Sequence, residues 1–219
     1  MPLFPMAQSS SLSLDPRLLQ EVGDLGILDP RLLQEVGDLG ILDPRLLQEV
    51  GDLDMTKLIL SIGLPGSGKS TLAEKLIAET PGSLLISTDR IRGQLFGDEA
   101  IQGPWFLVWR ELERQLQQAA LAIAQGQATL AIYDATNAAR RQRKDAIALC
   151  RETGFTHITG LWFDTPIWLC LSRNRRRQRR VPEEVIFRMS RQLRDAPPAL
   201  VDGFDRLIRY HLDQFIIVE

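Results

Sequence analysis

The segment Gly63-Leu64-Pro65-Gly66-Ser67-Gly68-Lys69-Ser70, followed by Thr71, constrains this chain more than any other. Its spacing is Gly, four residues, Gly-Lys-Ser. An apolar run, Leu58-Ile59-Leu60-Ser61-Ile62, precedes it, and a helix-compatible run, Thr71-Leu72-Ala73-Glu74-Lys75-Leu76-Ile77, follows. That strand–loop–helix setting is what a phosphate-cradling loop needs. Glycines let the backbone turn inward so that successive amide N–H groups can surround a phosphate. The helix beginning there adds the positive end of its dipole. Lys69 can bridge the outer phosphates and the Ser70 hydroxyl can ligate Mg²⁺. The competing interpretation, a glycine turn before an ordinary helix, leaves the lysine and the hydroxyl unexplained. The residues imply binding of a nucleoside triphosphate through Gly63, Pro65, Gly66, Ser67, Gly68, Lys69, Ser70 and Thr71.

The 219 residues suit one domain with an appendage, and residues 1–54 have the character of the appendage. The stretch Leu14–Ile27 recurs from Leu28 and again from Leu42, where it stops after Leu53, with a period of fourteen residues. Asp-Pro can start a helix and the glycine after Val can end it, so each unit encodes about two turns at most. Such a segment is either an oligomerising or partner-binding device, or a duplicated stretch of coding sequence that is partly ordered at best. Identical copies favour the second, because the ends of a fold need capping residues of their own. The segment holds three basic and ten acidic residues, and the remainder holds 23 basic and 18 acidic, so the formal charge is −7 before Met55 and +5 after it. A basic body suits an enzyme with two phosphorylated substrates. The division expected is therefore an acidic repeat extension over 1–54 and a catalytic domain over 55–219.

No apolar run approaches the length that spans a bilayer, and the first six residues have no basic region and no long apolar core. A cytoplasmic protein without membrane association is expected. Cys150 and Cys170 fall in helix-like stretches and are expected as reduced core residues. His157 and His211 are separated and make no metal constellation.

Beyond Thr56 strands and helices alternate. Strands are expected at Lys57–Ile62, Ser83–Ser87, Thr129–Tyr133, His157–Phe163 and Phe215–Val218. Helices are expected at Ser70–Glu79, from Gly103-Pro104 to Gly126, at Ala138–Thr153 and after Thr165-Pro166. In the long helix Phe106, Trp109, Leu112, Leu116, Ala119 and Ile123 recur at three or four residues, which suits core packing better than a base-stacking platform. The fold class is α/β, a parallel sheet with helices on both faces and an Arg-rich lid. Ligands of such sheets bind beyond the carboxyl ends of the strands.

Those ends carry the chemistry. Ser87-Thr88-Asp89-Arg90-Ile91-Arg92 follows the second strand, and Asp134-Ala135-Thr136-Asn137 with Arg140-Arg141 follows the third. A carboxylate there can take a proton from an attacking hydroxyl, and an arginine three residues on can hold an anionic acceptor. Asp89 could equally cap a helix or hold a metal-bound water. Asp134 could be a turn carboxylate or could orient Arg92. The run Arg173-Asn174-Arg175-Arg176-Arg177-Gln178-Arg179-Arg180-Val181-Pro182 suits a solvated face, a nucleic-acid patch or, most sharply, a mobile lid closing over the triphosphate.

From about Lys57 to Arg206 the chain resembles the polynucleotide 5′-hydroxyl kinase family and its bacterial relatives. The resemblance rests on Gly63–Ser70, Asp89-x-x-Arg92, Asp134-x-Thr136-Asn137 and Arg173-Asn174-x-x-Arg177 with Val181-Pro182. It implies an ATP- and Mg²⁺-dependent kinase with Lys69, Asp89 and Arg177 catalytic and Asp89 the general base. By the same resemblance Arg173 and Arg177 engage the donor phosphates, and Arg92, Asp134, Thr136, Asn137 and Arg140 line the acceptor side. The acceptor implied is a polynucleotide 5′-hydroxyl. A kinase of a small metabolite, of the gluconate, shikimate or nucleotide-sugar type, shares the same loop, and a nucleotide-binding scaffold without turnover is the rival of another class. There is no Asn-Lys-x-Asp guanine motif, no ABC-type signature and no obvious apolar run ending in the aspartate of a motor ATPase.

Removal of residues 1–54 is expected to leave specific activity within about twofold, since short repeated helices add little unless they pack on something. A truncated protein that fails to fold, or that loses activity at every salt concentration, would make the repeats part of the catalytic structure.

Overall fold

The computed structural model describes residues 56–211 and 214–218, so the repeats of 1–54 lie outside the described residues. Six strands form one sheet: β1 (Lys57–Gly63), β2 (Ser83–Ser87), β3 (Leu130–Asp134), β4 (His157–Phe163), β5 (Arg206–His211) and β6 (Gln214–Val218). Their order is β2-β3-β1-β4-β5-β6. All neighbours run parallel except the β5–β6 pair.

Parallel strands covered on both faces read as continuous apolar runs, and β1 does so, with only Ile59 of its seven residues not buried. The two faces still separate at period two. Leu58, Leu60 and Ile62 join Ala131 and Tyr133 of β3 in one core cluster. Leu130 and Ile132 of β3 turn the other way, to a second cluster with Leu161, Phe163, Ile208 and Tyr210. α1 (Lys69–Glu79) covers that second face through Leu72, Ala73 and Leu76. α3 (Trp105–Ala124) and α4 (Arg140–Glu152) contribute to the first. Among the described residues no helix is long and apolar enough to cross a membrane.

The long helix buries the stripe its spacing suggests except at its first turn, since Leu112, Leu116 and Ala119 are buried and Trp109 and Ile123 pack against the core. Its buried stripe is Val108, Leu112, Leu116, Ala119 and Ala120. Phe106 sits two residues before Val108, on the opposite side, and is 68% exposed. Three elements are additional to those expected. α2 (Thr88–Phe96) starts directly at the end of β2 and buries Ile91. α6 (Glu183–Asp195) and β5 follow the arginine run. That run is divided: Arg173, Arg175 and Arg176 belong to α5 (Ile167–Arg176), and 177–182 connects α5 to α6. Asn174 pins the connection at both edges, donating to the Val181 carbonyl at 2.8 Å and accepting from the Val181 amide at 2.9 Å. Cys150 and Cys170 are free thiols in the core.

Among the described residues one ion pair has both side chains fully buried. Arg143 of α4 and Asp202, in a 3₁₀ turn at Leu200–Asp202, have fully buried side chains 3.1 Å apart. Arg143 also donates to the carbonyls of Ala138 at 2.7 Å and Ala196 at 2.7 Å. Its guanidinium thus ties the segment after β3 to the segment after α6. Asp202→Ala strands the Arg143 charge and is expected to destabilise the fold by about 3–5 kcal/mol in urea unfolding. A loss below about 1 kcal/mol, the value of a surface pair, would mean that water reaches the site.

Candidate active site

The sheet order reverses at β1, because the chain leaves it for β2 and β3 on one side and takes up β4 and β5 on the other. The crevice at that switch point is where ligands of such sheets bind. Gly63–Ser70 lies there, between the end of β1 and α1. Gly66 has φ +85, and a Cβ on it would come within 2.5 Å of the Cys170 carbonyl oxygen in α5. Only glycine permits both that backbone and that approach. Lys69 folds back over the loop, donating to the Leu64 carbonyl at 2.7 Å and to Ser67 Oγ at 3.3 Å. Burial pulls its ammonium down to about 8, against the pull of the Asp134 carboxylate, with the Arg177 guanidinium adding to the depression. Cys170, beside it, is pushed up to about 11 by burial.

The end of β3 is bonded to this loop. Asp134 accepts from Ser70 Oγ at 2.7 Å and from Ser61 Oγ at 3.2 Å. Asn137 donates to the Ser61 carbonyl at 2.9 Å and takes a left-handed φ of 45, which asparagine tolerates better than most residues. The Thr136 carbonyl accepts from the Gly63 amide at 2.9 Å. β3 is therefore an apolar run closed by an aspartate facing the P-loop hydroxyl, an arrangement the sequence did not make obvious. A hydroxyl and a carboxylate 2.7 Å apart are a small set of hard oxygen donors. That set suits Mg²⁺, which keeps several waters and completes its shell with phosphate oxygens. Among the described residues no group of three or more His, Cys, Asp or Glu offers another cage.

Asp89 and Arg92 stand on the first turns of α2. Arg92 donates to Asp89 Oδ1 at 2.9 Å, and Arg179 of the α5–α6 connection approaches Asp89 Oδ2 at 3.2 Å and Glu99 at 3.8 Å. Asp89 is half-exposed, whereas the Arg92 side chain is largely covered. Arg173 leans on the loop, 3.5 Å from the Gly66 carbonyl. Lys69, Ser70, Asp134, Thr136, Asn137 and Arg173 thus gather around the loop, with Arg177 close enough to act on the Lys69 charge.

Arg140 goes elsewhere. Expected on the acceptor side, it donates to Asp202 at 2.7 Å, drawn by a carboxylate whose side chain is fully buried. Sequence reasoning missed Ser61, Arg143, Asp202 and Arg179. Arg143 did leave a signal, since it heads the stripe Arg143, Ala146, Ile147 and Cys150 on the buried face of α4. Nothing in the run distinguishes Arg179 from its neighbours.

A family model, AAA_33, described as an AAA domain, matches residues 58–196. The L-seryl-tRNA(Sec) kinase of Methanococcus maripaludis is 28% identical over 140 residues, covering 60% of this chain and 50% of that protein. The chain therefore spans about half the length of this curated relative. A chain in the Pnkp1/Rnl/Hen1 RNA repair complex superposes with a TM-score of 0.53 and 23% identity over 66% of this chain and 46% of that one. That likeness shows the fold, an α/β domain with a mostly parallel sheet flanked by helices. A sugar kinase from Janibacter sp. HTCC2649 has a TM-score of 0.49 and 22% identity, over 73% of this chain and 87% of that one.

The depressed Lys69 sets a pH dependence for triphosphate binding. The free protein loses the lysine charge as pH rises through about 8, while a bound polyanion favours the charged form. Affinity should then be flat below that value and fall by up to about tenfold per pH unit above it, with proton uptake on binding. Calorimetry in buffers of different ionisation enthalpy reads both. An affinity unchanged between about pH 7 and 9.5 would place the Lys69 ammonium outside the phosphate contact.

Proposed function

The chain belongs to the AAA_33 family, and from that premise we propose that it transfers the γ-phosphate of ATP to a hydroxyl, the 5′-hydroxyl of a polynucleotide. The observation that carries the reading is the Asp89–Arg92 pair at the carboxyl end of β2, on the same sheet end as Lys69, Ser70 and Asp134. Asp89 acts on the charge of Lys69, so the two share one electrostatic field.

The amides of Gly63–Ser70 surround the β-phosphate, and Lys69 leaves the Leu64 carbonyl to reach the outer phosphates. Ser70 and, through water, Asp134 would hold Mg²⁺, which supplies charge neutralisation on the phosphates. The acceptor hydroxyl gives its proton to Asp89 as its oxygen bonds to the γ-phosphorus. The bond from that phosphorus to the β–γ bridging oxygen breaks, and ADP leaves. Arg92 holds the acceptor beside Asp89. Arg173 and Arg177 neutralise charge that develops on the transferring group. Thr136 and Asn137 brace the floor of the site through Gly63 and Ser61.

The choice of acceptor draws on the Methanococcus relative, a kinase of an aminoacyl-tRNA, so that its acceptor is borne on a nucleic acid. The basic excess of the body fits a polyanion. Residues 55–219 form the kinase domain under this reading, with 1–54 an accessory extension.

Transfer of label from γ-labelled ATP, run against 5′-hydroxyl oligonucleotides and a panel of hydroxylated metabolites, tests the reading. Labelled oligonucleotide supports it, and transfer to a sugar or another metabolite alone assigns a small-molecule kinase. Asp89→Asn should lower kcat by ~10²-fold or more while ATP affinity holds, the usual cost of losing a general base. Equal losses in ATP binding and turnover would make Asp89 a metal-side residue.

A further inference from the structure

Four of the nine exposed large hydrophobic side chains among the described residues fall in the stretch that follows Asp89 and Arg92. Leu95, Ile101, Trp105 and Phe106 are 41%, 46%, 51% and 68% exposed, and all lie on the end of α2, the α2–α3 connection or the first turn of α3. An exposed group of this kind beside a candidate active site marks an interaction surface. Its surroundings say of what kind. The Arg92 guanidinium lies over the Trp105 ring, 5.9 Å from its centroid, and the same arginine bonds Asp89 at 2.9 Å. Trp105 is therefore one side chain removed from the carboxylate.

The ring is held in place. Trp109 packs on it at 5.9 Å between centroids, tilted by 50°. Gly103, with φ +55, lets the chain turn into α3 where any Cβ would lie 2.3 Å from the Phe96 ring, so the turn presenting Trp105 is seated on α2. Arg92 Nε is itself buried and without a partner among the described residues. Arg179 also reaches Asp89, and Arg110 is exposed one helical turn beyond Phe106.

Resting on the polynucleotide reading above, we propose that Trp105 and Phe106 form the platform on which the base nearest the acceptor hydroxyl stacks. Aromatic faces alternating with arginines are what a single strand requires, π-surface for its bases and cations for its phosphates. An apolar protein partner would not call for the arginines. Because every base has a π-face, the platform confers tolerance of sequence together with a demand that a base be present.

The test compares two oligonucleotide acceptors that differ only at the 5′ end, one with a normal nucleoside and one with an abasic residue keeping the 5′-hydroxyl. The full-length protein should favour the first by about tenfold in kcat/KM, the scale of one base–aromatic stack. Trp105→Ala and Phe106→Ala should each raise KM for the first acceptor more than they lower kcat, and should shrink the preference. Trp105→Phe should retain most of it, which separates stacking from a folding defect. Without ATP, the oligonucleotide should quench tryptophan fluorescence, and Trp105→Phe should lose most of the quench. Equal kcat/KM for the two acceptors in the unmodified protein, with label transferred to both, overturns the platform and leaves the polynucleotide reading standing. If neither oligonucleotide is phosphorylated and a metabolite is, both fall.

Discussion

The carboxylate of Asp134 is the fixed point of the site. It accepts hydrogen bonds from Ser61 on β1 and from Ser70 on α1, while its own backbone ends β3. Three elements thereby meet on one buried group. A buried carboxylate without partners would cost several kcal/mol, so the position persists only because both oxygens are satisfied. The loop around it is bound as tightly, by Asn137 to Ser61 and by Gly63 to Thr136. The phosphate loop is therefore pre-shaped by bonds to its neighbouring strand, which is how electrostatic preorganisation is built into a fold.

A second layer holds the first. Arg143 bonds the Ala138 carbonyl, one residue past Asn137, and its charge is balanced by Asp202. Arg140 shares that carboxylate from the surface side. The formally basic body thus spends two of its arginines on internal architecture. Arg175 is tied to Glu183 and Arg179 to Asp89 and Glu99, so the arginine run is also less free than its composition suggests.

Much of this was legible in the sequence, for physical reasons. The P-loop is short-range, and its glycines and lysine cannot serve a different local structure as well. Strands covered on both faces announce themselves as apolar runs, and β4 spans the residues its run suggested, His157–Phe163. β5 was hidden because Arg206 and Arg209 interrupt its pattern while Leu207 and Ile208 carry the burial. At the first turn of α3 Phe106 keeps the spacing of a core residue, yet Val108 takes the buried position. Long-range partners were beyond reach. Arg140 and Asp202 are 62 residues apart and Arg179 and Asp89 are 90 apart, and nothing local reports such meetings.

The contact between Gly66 and the Cys170 carbonyl has a mechanical meaning. No side chain cushions the phosphate loop from α5, and Thr165 and Arg173 bond the loop on either side of that contact, at the Ser67 and Gly66 carbonyls. The helix and the loop therefore meet backbone to backbone, with a side-chain bond on either side of the meeting point. Arg177 and Arg179 lie just past the end of the helix, in the connection that the two Asn174–Val181 hydrogen bonds close. One backbone contact thus joins the donor loop to the helix that leads on to Arg179 and its pairing with Asp89, so the two halves of the crevice share a covalently continuous wall.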